Sequence, residues 1–450
     1  MKNISVFTAT TLNIAVLFLL FISTNVFAQT TPFIQWQTTL GGTNPDEASC
    51  IQQTNDGGYI IAGYSFSING DITGHLGNSD YWVVKLNSTG VIQWQKSLGG
   101  SNYEEAHSIQ QTSDGGYIVA GFSFSYDYEV TGHHSFSGSD DYWIVKLDAI
   151  GNIQWEKSFG GTSNDEAYAV QQTSDGGYIV AGFAYSSDGD VIGHHGPNGG
   201  LPDYWILKLN TIGDIQWQQS LGGSGDDEAY AVQQTSDGGY IVAGYSYSLD
   251  GNVTGNHGDD DYWIVKLSAG GSLQWQKSLG GVQKDHANSI QQTSDGGYIV
   301  AGWSHSIGGD ITGHHGPINV ADYWVVKLGI GGTILWQKSL GGTDIDEAYS
   351  IKQTPDGGYV IAGLSYSNDN DVTGNHGNAD YWIVKLSSGG VIQWQKSLGG
   401  TGRDGANSVI RITGGGYVIA GYTESSDGDV TNFHGNRDYW VVKLVQCSCQ

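Results

Sequence analysis

Asp226–Leu279 reads DDEAYAVQQTSDGGYIVAGYSYSLDGNVTGNHGDDDYWIVKLSAGGSLQWQKSL, and four short runs rich in Val, Ile, Tyr and Trp stand out in it. Run A is Asp226 to Thr235, B is Gly239 to Tyr247, C is Asp261 to Ser268 and D is Ser272 to Leu279. Each is bounded by Gly, Asp, Asn or Ser, the pattern of strands separated by turns. A and B are joined by Ser-Asp-Gly-Gly, where Asp-Gly supplies the positive φ of a tight hairpin. Gly270-Gly271 lies between C and D. No segment has the 3.6-residue apolar period of a helix.

The stretch recurs along the chain. Tyr-Trp, followed by two aliphatics, Lys and Leu, ends at Trp82, Trp143, Trp205, Trp263, Trp324, Trp382 and Trp440. A second tryptophan recurs at Trp36, Trp94, Trp155, Trp217, Trp275, Trp336 and Trp394, and Gly-Gly-Tyr at Tyr59, Tyr117, Tyr178, Tyr240, Tyr298, Tyr359 and Tyr417. Self-similarity at about 58 to 62 residues means stacked or radial repeats. Four antiparallel strands per unit, repeated radially, predict an all-β fold, a seven-bladed β-propeller. The blades are 46–98, 104–159, 165–221, 226–279, 284–340, 345–398 and 404–445 plus 33–40, within one domain over 29–450. The phase of the repeat supports a closed ring. The first strand-like run, Ile34 to Leu40, is a spare D strand, and the last unit has A, B and C only. Pairing the two closes the ring and hides two edges.

Only one connection changes length. From the Gly of Ala-Gly to the Tyr of Tyr-Trp is 18 residues in blades 1, 4, 6 and 7, but 21, 22 and 21 in blades 2, 3 and 5. Loops that absorb insertions are where a scaffold usually carries function. The face formed by the B–C loops and D–A connections is therefore the candidate binding face.

The formal charge is −27 over 450 residues. Such a balance excludes a nucleic-acid or anionic-membrane surface and suits a solvated protein or one that takes cations. Residues 1–28 read as a signal peptide: Lys2, an apolar run from Ile14 to Ile22, then Val26-Phe27-Ala28. The expectation is a secreted or cell-surface monomer without a membrane span. Of three cysteines, Cys50 lies in the first repeat and Cys447 and Cys449 at the end. A disulfide from Cys50 to either tail cysteine and three free thiols both remain open.

The order Asp-Glu-Ala-Tyr, Asp-Gly-Gly-Tyr-Ile-Val-Ala-Gly, Asp-Tyr-Trp-Ile-Val-Lys-Leu, Ile-Gln-Trp-Gln-Lys-Ser-Leu-Gly-Gly resembles the propeller repeats of secreted proteins from Bacteroidota-like bacteria. The blade order is similar to that of WD-repeat propellers. The first resemblance implies export, and some relatives carry glycosidase-like labels such as endoglucanase. The second implies that Asp, His, Ser/Thr and Trp share a hydrogen-bond network in each blade.

Several residue sets could carry chemistry. An Asp precedes every Tyr-Trp, and its presence in all seven blades favours a turn-fixing role. Asp188 and Asp190, Asp369 and Asp371, and Asp427 and Asp429 offer hard oxygens at alternate positions; the full ligand set of a calcium loop is missing, so an Asx-type turn is favoured, with calcium the cofactor to test. Histidine pairs occur only in the long loops, at His133-His134, His194-His195 and His314-His315. Adjacent side chains diverge in extended chain, so loop packing is favoured over chelation. Paired acids open the A runs at Asp46-Glu47, Glu104-Glu105, Asp165-Glu166, Asp227-Glu228 and Asp346-Glu347, a resource for glycoside hydrolysis. Their repetition argues against the one asymmetric site that catalysis needs. Blades 5 and 7 break the pattern, with Lys284-Asp285-His286 and Arg403-Asp404-Gly405, and Trp303 stands where the other B runs end in Tyr or Phe, Leu364 excepted. The ligand face is thus assigned to the three His pairs, Trp303 and Asp285. Its expected role is binding a glycan or a surface protein; the alternative is an endoglucanase-like glycoside hydrolase.

Overall fold

The computed structural model describes residues 31–134 and 138–446. The signal-like segment 1–28, Cys447 and Cys449 lie outside the described residues. The described residues form 28 strands and no helix. They build seven four-stranded antiparallel sheets, six of them in the order A-B-C-D. In the fourth repeat the strands are Asp227–Gln234, Tyr240–Ser246, Asp261–Leu267 and Leu273–Leu279. The first strand, Phe33–Leu40, pairs with the last, Asp438–Val445, and so supplies strand D of blade 7. The ring closes as the phase of the repeat predicted.

The hydrophobic core sits between blades. Each apolar cluster joins two neighbouring sheets; one unites Ile60, Tyr81 and Val83 of blade 1 with Ala106, Tyr117 and Trp143 of blade 2. The Tyr-Trp dipeptide explains why the same join forms seven times. Tyr81 packs at a tilt against Trp143 of the next blade, with ring centroids 4.7 Å apart, and its Oη donates to the Trp143 carbonyl at 2.9 Å. The pattern runs round to Tyr439, which donates to the Trp82 carbonyl at 2.9 Å. The C-strand tryptophans are fully buried.

Two glycines show how closely the blades approach. A Cβ on Gly244 would lie 1.9 Å from the Glu228 carbonyl oxygen and 2.7 Å from Tyr204 Oη, so the Ala-Gly step leaves room for the clasp. Gly271, at φ +82, lies under the D-strand Trp217 of the preceding blade, whose ring a Cβ would meet at 2.8 Å. The repeated Lys of each C strand closes the A–B hairpin: in six blades it pairs with the turn Asp, from Lys85–Asp56 at 2.9 Å to Lys327–Asp295 at 3.1 Å. The Thr235 hydroxyl, opposed by burial, and then the Gly239 N–H and Lys266 hold Asp237 down to about 2.

Candidate functional site: the central channel

Strand A is the inner edge of every blade, and the seven A strands surround a cavity of about 600 Å³. All seven carry a β-bulge in the same place, between Ala48 and Cys50 in blade 1 and at the equivalent step elsewhere. A bulge re-aims a side chain out of the strand's alternation. The extra residue is Ser49, His107, Tyr168, Tyr230, Asn288, Tyr349 and Asn407 in turn, and all seven line the cavity. Four residue types occupy one repeat position, in contrast to the near-identity of strand C.

The paired acids do two different jobs. The first is buried and structural: Asp227 accepts the Gly223 N–H at 2.8 Å and the Ser248 hydroxyl at 2.7 Å, pinning the D–A turn. Asp285 does the same with Gly281 N–H at 2.8 Å and Ser306 at 3.1 Å. The second position, one residue on, is half-buried in six of the blades: Glu47, Glu105, Glu166, Glu228, His286 and Glu347, with Gly405 completing the round. Phenols of this layer bond to it. Tyr64 donates to Glu47 at 3.0 Å, Tyr168 to Glu166 at 3.1 Å, Tyr230 to Glu228 at 2.6 Å, and Tyr349 to Glu347. Burial, followed by the charges of Glu47 and Glu166, raises Glu105 to about 7. Burial also raises Glu166 to about 7, against the bond from Tyr168.

The acid collar is asymmetric. Arg437 reaches Glu47 at 2.5 Å and Glu424 at 2.6 Å, its guanidinium 4.3 Å from the Tyr422 ring centroid, and neutralises the sector at blades 7 and 1. Across blades 4 and 5, His286 lies between Tyr245 and Trp303, stacked at 3.9 and 4.2 Å. Asp260 holds both His286, at 3.0 Å, and Lys284, at 2.9 Å. Trp303, Tyr64 and His286 therefore line the same cavity as the glutamates.

The opposite end, beside the A–B hairpins, is built from the Gln-Gln dipeptide. Gln52 accepts the backbone N–H of Gln111 in the next blade at 2.5 Å, and Gln110, Gln171, Gln233 and Gln291 repeat this at 2.5–2.7 Å. In blade 6 the position is Lys352, and in blade 7 Ile410.

The other assigned residues stand elsewhere. His134, His195 and His315 each bond through Nδ1 to the Asp before Tyr-Trp of their own blade, at 2.8, 2.7 and 3.1 Å. Their neighbours serve the loops: His133 faces the Ser123 carbonyl at 3.1 Å, His194 that of Gly196 at 3.0 Å and His314 that of Pro317 at 3.5 Å. The three pairs are not brought together, and of the assigned face only Trp303 lines the channel. The alternating acids grip the preceding D–A turn. Asp188 bonds Thr162 N and Oγ at 2.8 and 2.7 Å, Asp369 bonds Thr343 at 2.8 and 2.8 Å, and Asp427 bonds Thr401 at 2.8 and 2.9 Å. Asp190 and Asp371 approach the neighbouring blade's His134 and His315 at 3.3 and 3.6 Å, and Asp429 the Gly399 N–H at 3.4 Å. Among the described residues no group of three or more His, Cys, Asp or Glu is placed to hold a metal ion. The four-part network expected from WD repeats divides in two. Asp and His pair, while the Trp indole donates to a D-strand Gln or Glu, as Trp82 to Gln95 at 2.9 Å.

No family model matches the sequence. The chain is similar to the regulatory protein FlaEY of Caulobacter vibrioides, 22% identical over 92% of this chain and 45% of that protein. It is also similar to an uncharacterized WD repeat-containing protein of Acanthamoeba polyphaga mimivirus, 23% identical over 70% of this chain and 24% of that one. The chain thus spans less than half the length of either relative. A solved protein of unknown function from Bacteroides caccae aligns over 70% of this chain and 89% of its own, with 15% identity and a TM-score of 0.40. The chain is a seven-bladed propeller with WD-repeat-like neighbours. No helix of the described residues is long and apolar enough to cross a membrane.

Proposed function

We propose that the chain is an exported binding module whose ligand enters the central channel from the face of the D–A turns and B–C loops. One observation carries this: seven bulged strands place their most varied residue in a single cavity of about 600 Å³, within the range of small-ligand sites. Carbohydrate fits the lining best. Trp303 and the tyrosines offer ring edges and faces, while Glu105 and the amide oxygens of Asn288 and Asn407 offer acceptors for hydroxyls. A glycan array followed by calorimetry tests the reading. Binding that Trp303→Ala abolishes supports it; glycan binding unchanged by Trp303→Ala and Glu105→Gln moves the ligand off the channel.

A second reading, a glycoside hydrolase, draws support from Glu105 and Glu166, neighbouring carboxyls both held near 7 as a general acid requires. Turnover of polysaccharides by the wild type and its loss in Glu105→Gln would establish it.

A further inference from the structure

The hairpin end of the channel has a chemistry opposite to that of the mouth, and it arises from how the glutamines are spent. A backbone N–H needs an acceptor. The atom that Gln52, Gln110, Gln171, Gln233 and Gln291 present to the next blade is therefore the carboxamide oxygen, which fixes the orientation of each amide. Among the described residues the NH2 groups of these five side chains have no hydrogen-bond partner. They are donors only, arranged around one end of one channel.

Lys352 occupies the sixth position of this ring. Its side chain lines the cavity, and among the described residues it makes no hydrogen bond or ion pair, unlike the six C-strand lysines that clamp their hairpins. Ile410, the seventh member, offers no acceptor and leaves the Lys352 sector open. Among the described residues no carboxylate pairs with the ammonium. Glu347, on the same strand, lies five residues away, or about 16 Å of extended chain. The titratable groups toward Lys352 are the Cys50 thiol across the channel wall and His107 higher in the wall. Asp356, in its own hairpin, is taken by Lys385 at 3.0 Å, and Arg411 ends the neighbouring A strand with a further positive charge.

We propose that this end of the channel is an anion site, in which the Lys352 ammonium and the unpartnered glutamine N–H groups bind the carboxylate or phosphate of a small ligand. A charged donor beside neutral amide donors, with water partly excluded, is the arrangement that charge-assisted hydrogen bonds require. In a chain of net charge −27 such a site discriminates sharply, because the acid collar at the other end repels the same group. The site shares its cavity with the mouth but uses none of the mouth's residues. Burial lowers Lys352 from its ordinary 10.5. Affinity should therefore decline as pH rises through a midpoint below that value, since the bound form needs the ammonium.

The test uses the full chain with 13C-labelled lysine, titrated with sodium acetate or inorganic phosphate at constant ionic strength. The expected result is a saturable shift of one lysine resonance, assigned by its absence from Lys352→Gln. Calorimetry on that variant should show affinity weakened roughly tenfold or more, the equivalent of a charge-assisted bond. Lys352→Gln installs the residue that five other blades carry, so it folds. Preference for acetate identifies a carboxylate ligand and preference for phosphate a phosphorylated one; either supports the site. A lysine resonance that does not respond, or equal affinity in wild type and Lys352→Gln, overturns it.

Discussion

Strand C and strand A lie two positions apart in every blade, and they keep opposite rules. Strand C repeats Asp-Tyr-Trp, two aliphatics, Lys and Leu seven times: the Asp meets a loop histidine, the Tyr clasps the next blade, the Trp and aliphatics are buried, and the Lys closes the hairpin in six blades. Strand A repeats only its buried half: Ala48, Ile51 and their equivalents stay apolar, while Ser, His, Tyr and Asn exchange at the bulge and Gln, Lys and Ile one turn below. Repetition in this molecule marks what holds the ring together. Departure from repetition marks the surface that faces the channel, where four residue types share the bulge position and only blades 3 and 4 repeat the same A strand.

The comparison would break if strand C tolerated change. Trp205→Ala removes a fully buried indole that packs at a tilt against Tyr142 at 4.7 Å, and a loss of about 3–5 kcal/mol is expected in urea unfolding. Gly271→Ala should also destabilise, because the added Cβ meets the Trp217 ring and the residue is held at positive φ. A Trp205→Ala protein within 1 kcal/mol of wild type, on the order of a surface change, would mean the blades do not depend on the clasp.

The buried acids make the second test, by pH. Burial raises Asp46 to about 6 and Asp165, Asp227, Asp285 and Asp346 to about 7, against 3.8 for the ordinary group. Between about pH 4 and 7 the folded chain holds protons that the unfolded chain has released, so stability declines as pH rises through that window. Burial lowers His107 to about 4, which acts the other way as pH falls below 6.5. Asp237, held at about 2, loses its contribution only below about 4. With each pKa unit worth about 1.4 kcal/mol and several carboxyls outweighing the one histidine, Tm should peak near about pH 4 and fall by several degrees toward pH 8. A flat profile would show that these carboxyls are solvated.

Much of this was legible in the sequence. The Tyr-Trp, Gly-Gly-Tyr and D-strand Trp markers gave blade number, strand order and ring closure, because inter-blade packing admits few substitutes. The channel lining was not, for a physical reason. Side chains of a regular strand alternate, and on that count Glu47, Ser49 and Ile51 share a face. The bulge breaks the count: Ile51 is core, and Cys50 turns to the channel with Ser49. One signal was present. Ala48 and Ile51, the buried apolar pair, are three apart, an odd spacing that a half-buried strand cannot satisfy without an inserted residue. Loop length, by contrast, drew attention to the His pairs, whose insertions lengthen an outer turn without reaching the channel.

Calcium bears on the same contrast with a smaller expected effect. Asp188, Asp369 and Asp427 give both carboxylate oxygens to a threonine of the preceding turn. Chelation by EDTA should then leave Tm unchanged, and millimolar calcium should add no saturable rise. A rise that Asp188→Asn removes would transfer these loops from scaffold to site.

The smallest effect is expected where strand A is freest. Ser49 has no hydrogen-bond partner among the described residues, while Asn288 and Asn407, at the same bulge in blades 5 and 7, donate to the Ala348 and Ala48 carbonyls of the next blade at 2.8 and 2.9 Å. Ser49→Asn offers blade 1 the same bond toward the Ala106 carbonyl. Stability should stay within about 0.5 kcal/mol of wild type, and binding in the channel should change by more than that. The two readouts separate the roles: a wall residue moves affinity and leaves unfolding alone, whereas a clasp residue such as Tyr204 does the reverse. Should Ser49→Asn cost as much as Trp205→Ala, the variety at the bulge would reflect seven locally fitted packings, and the channel would lose its claim to be the site.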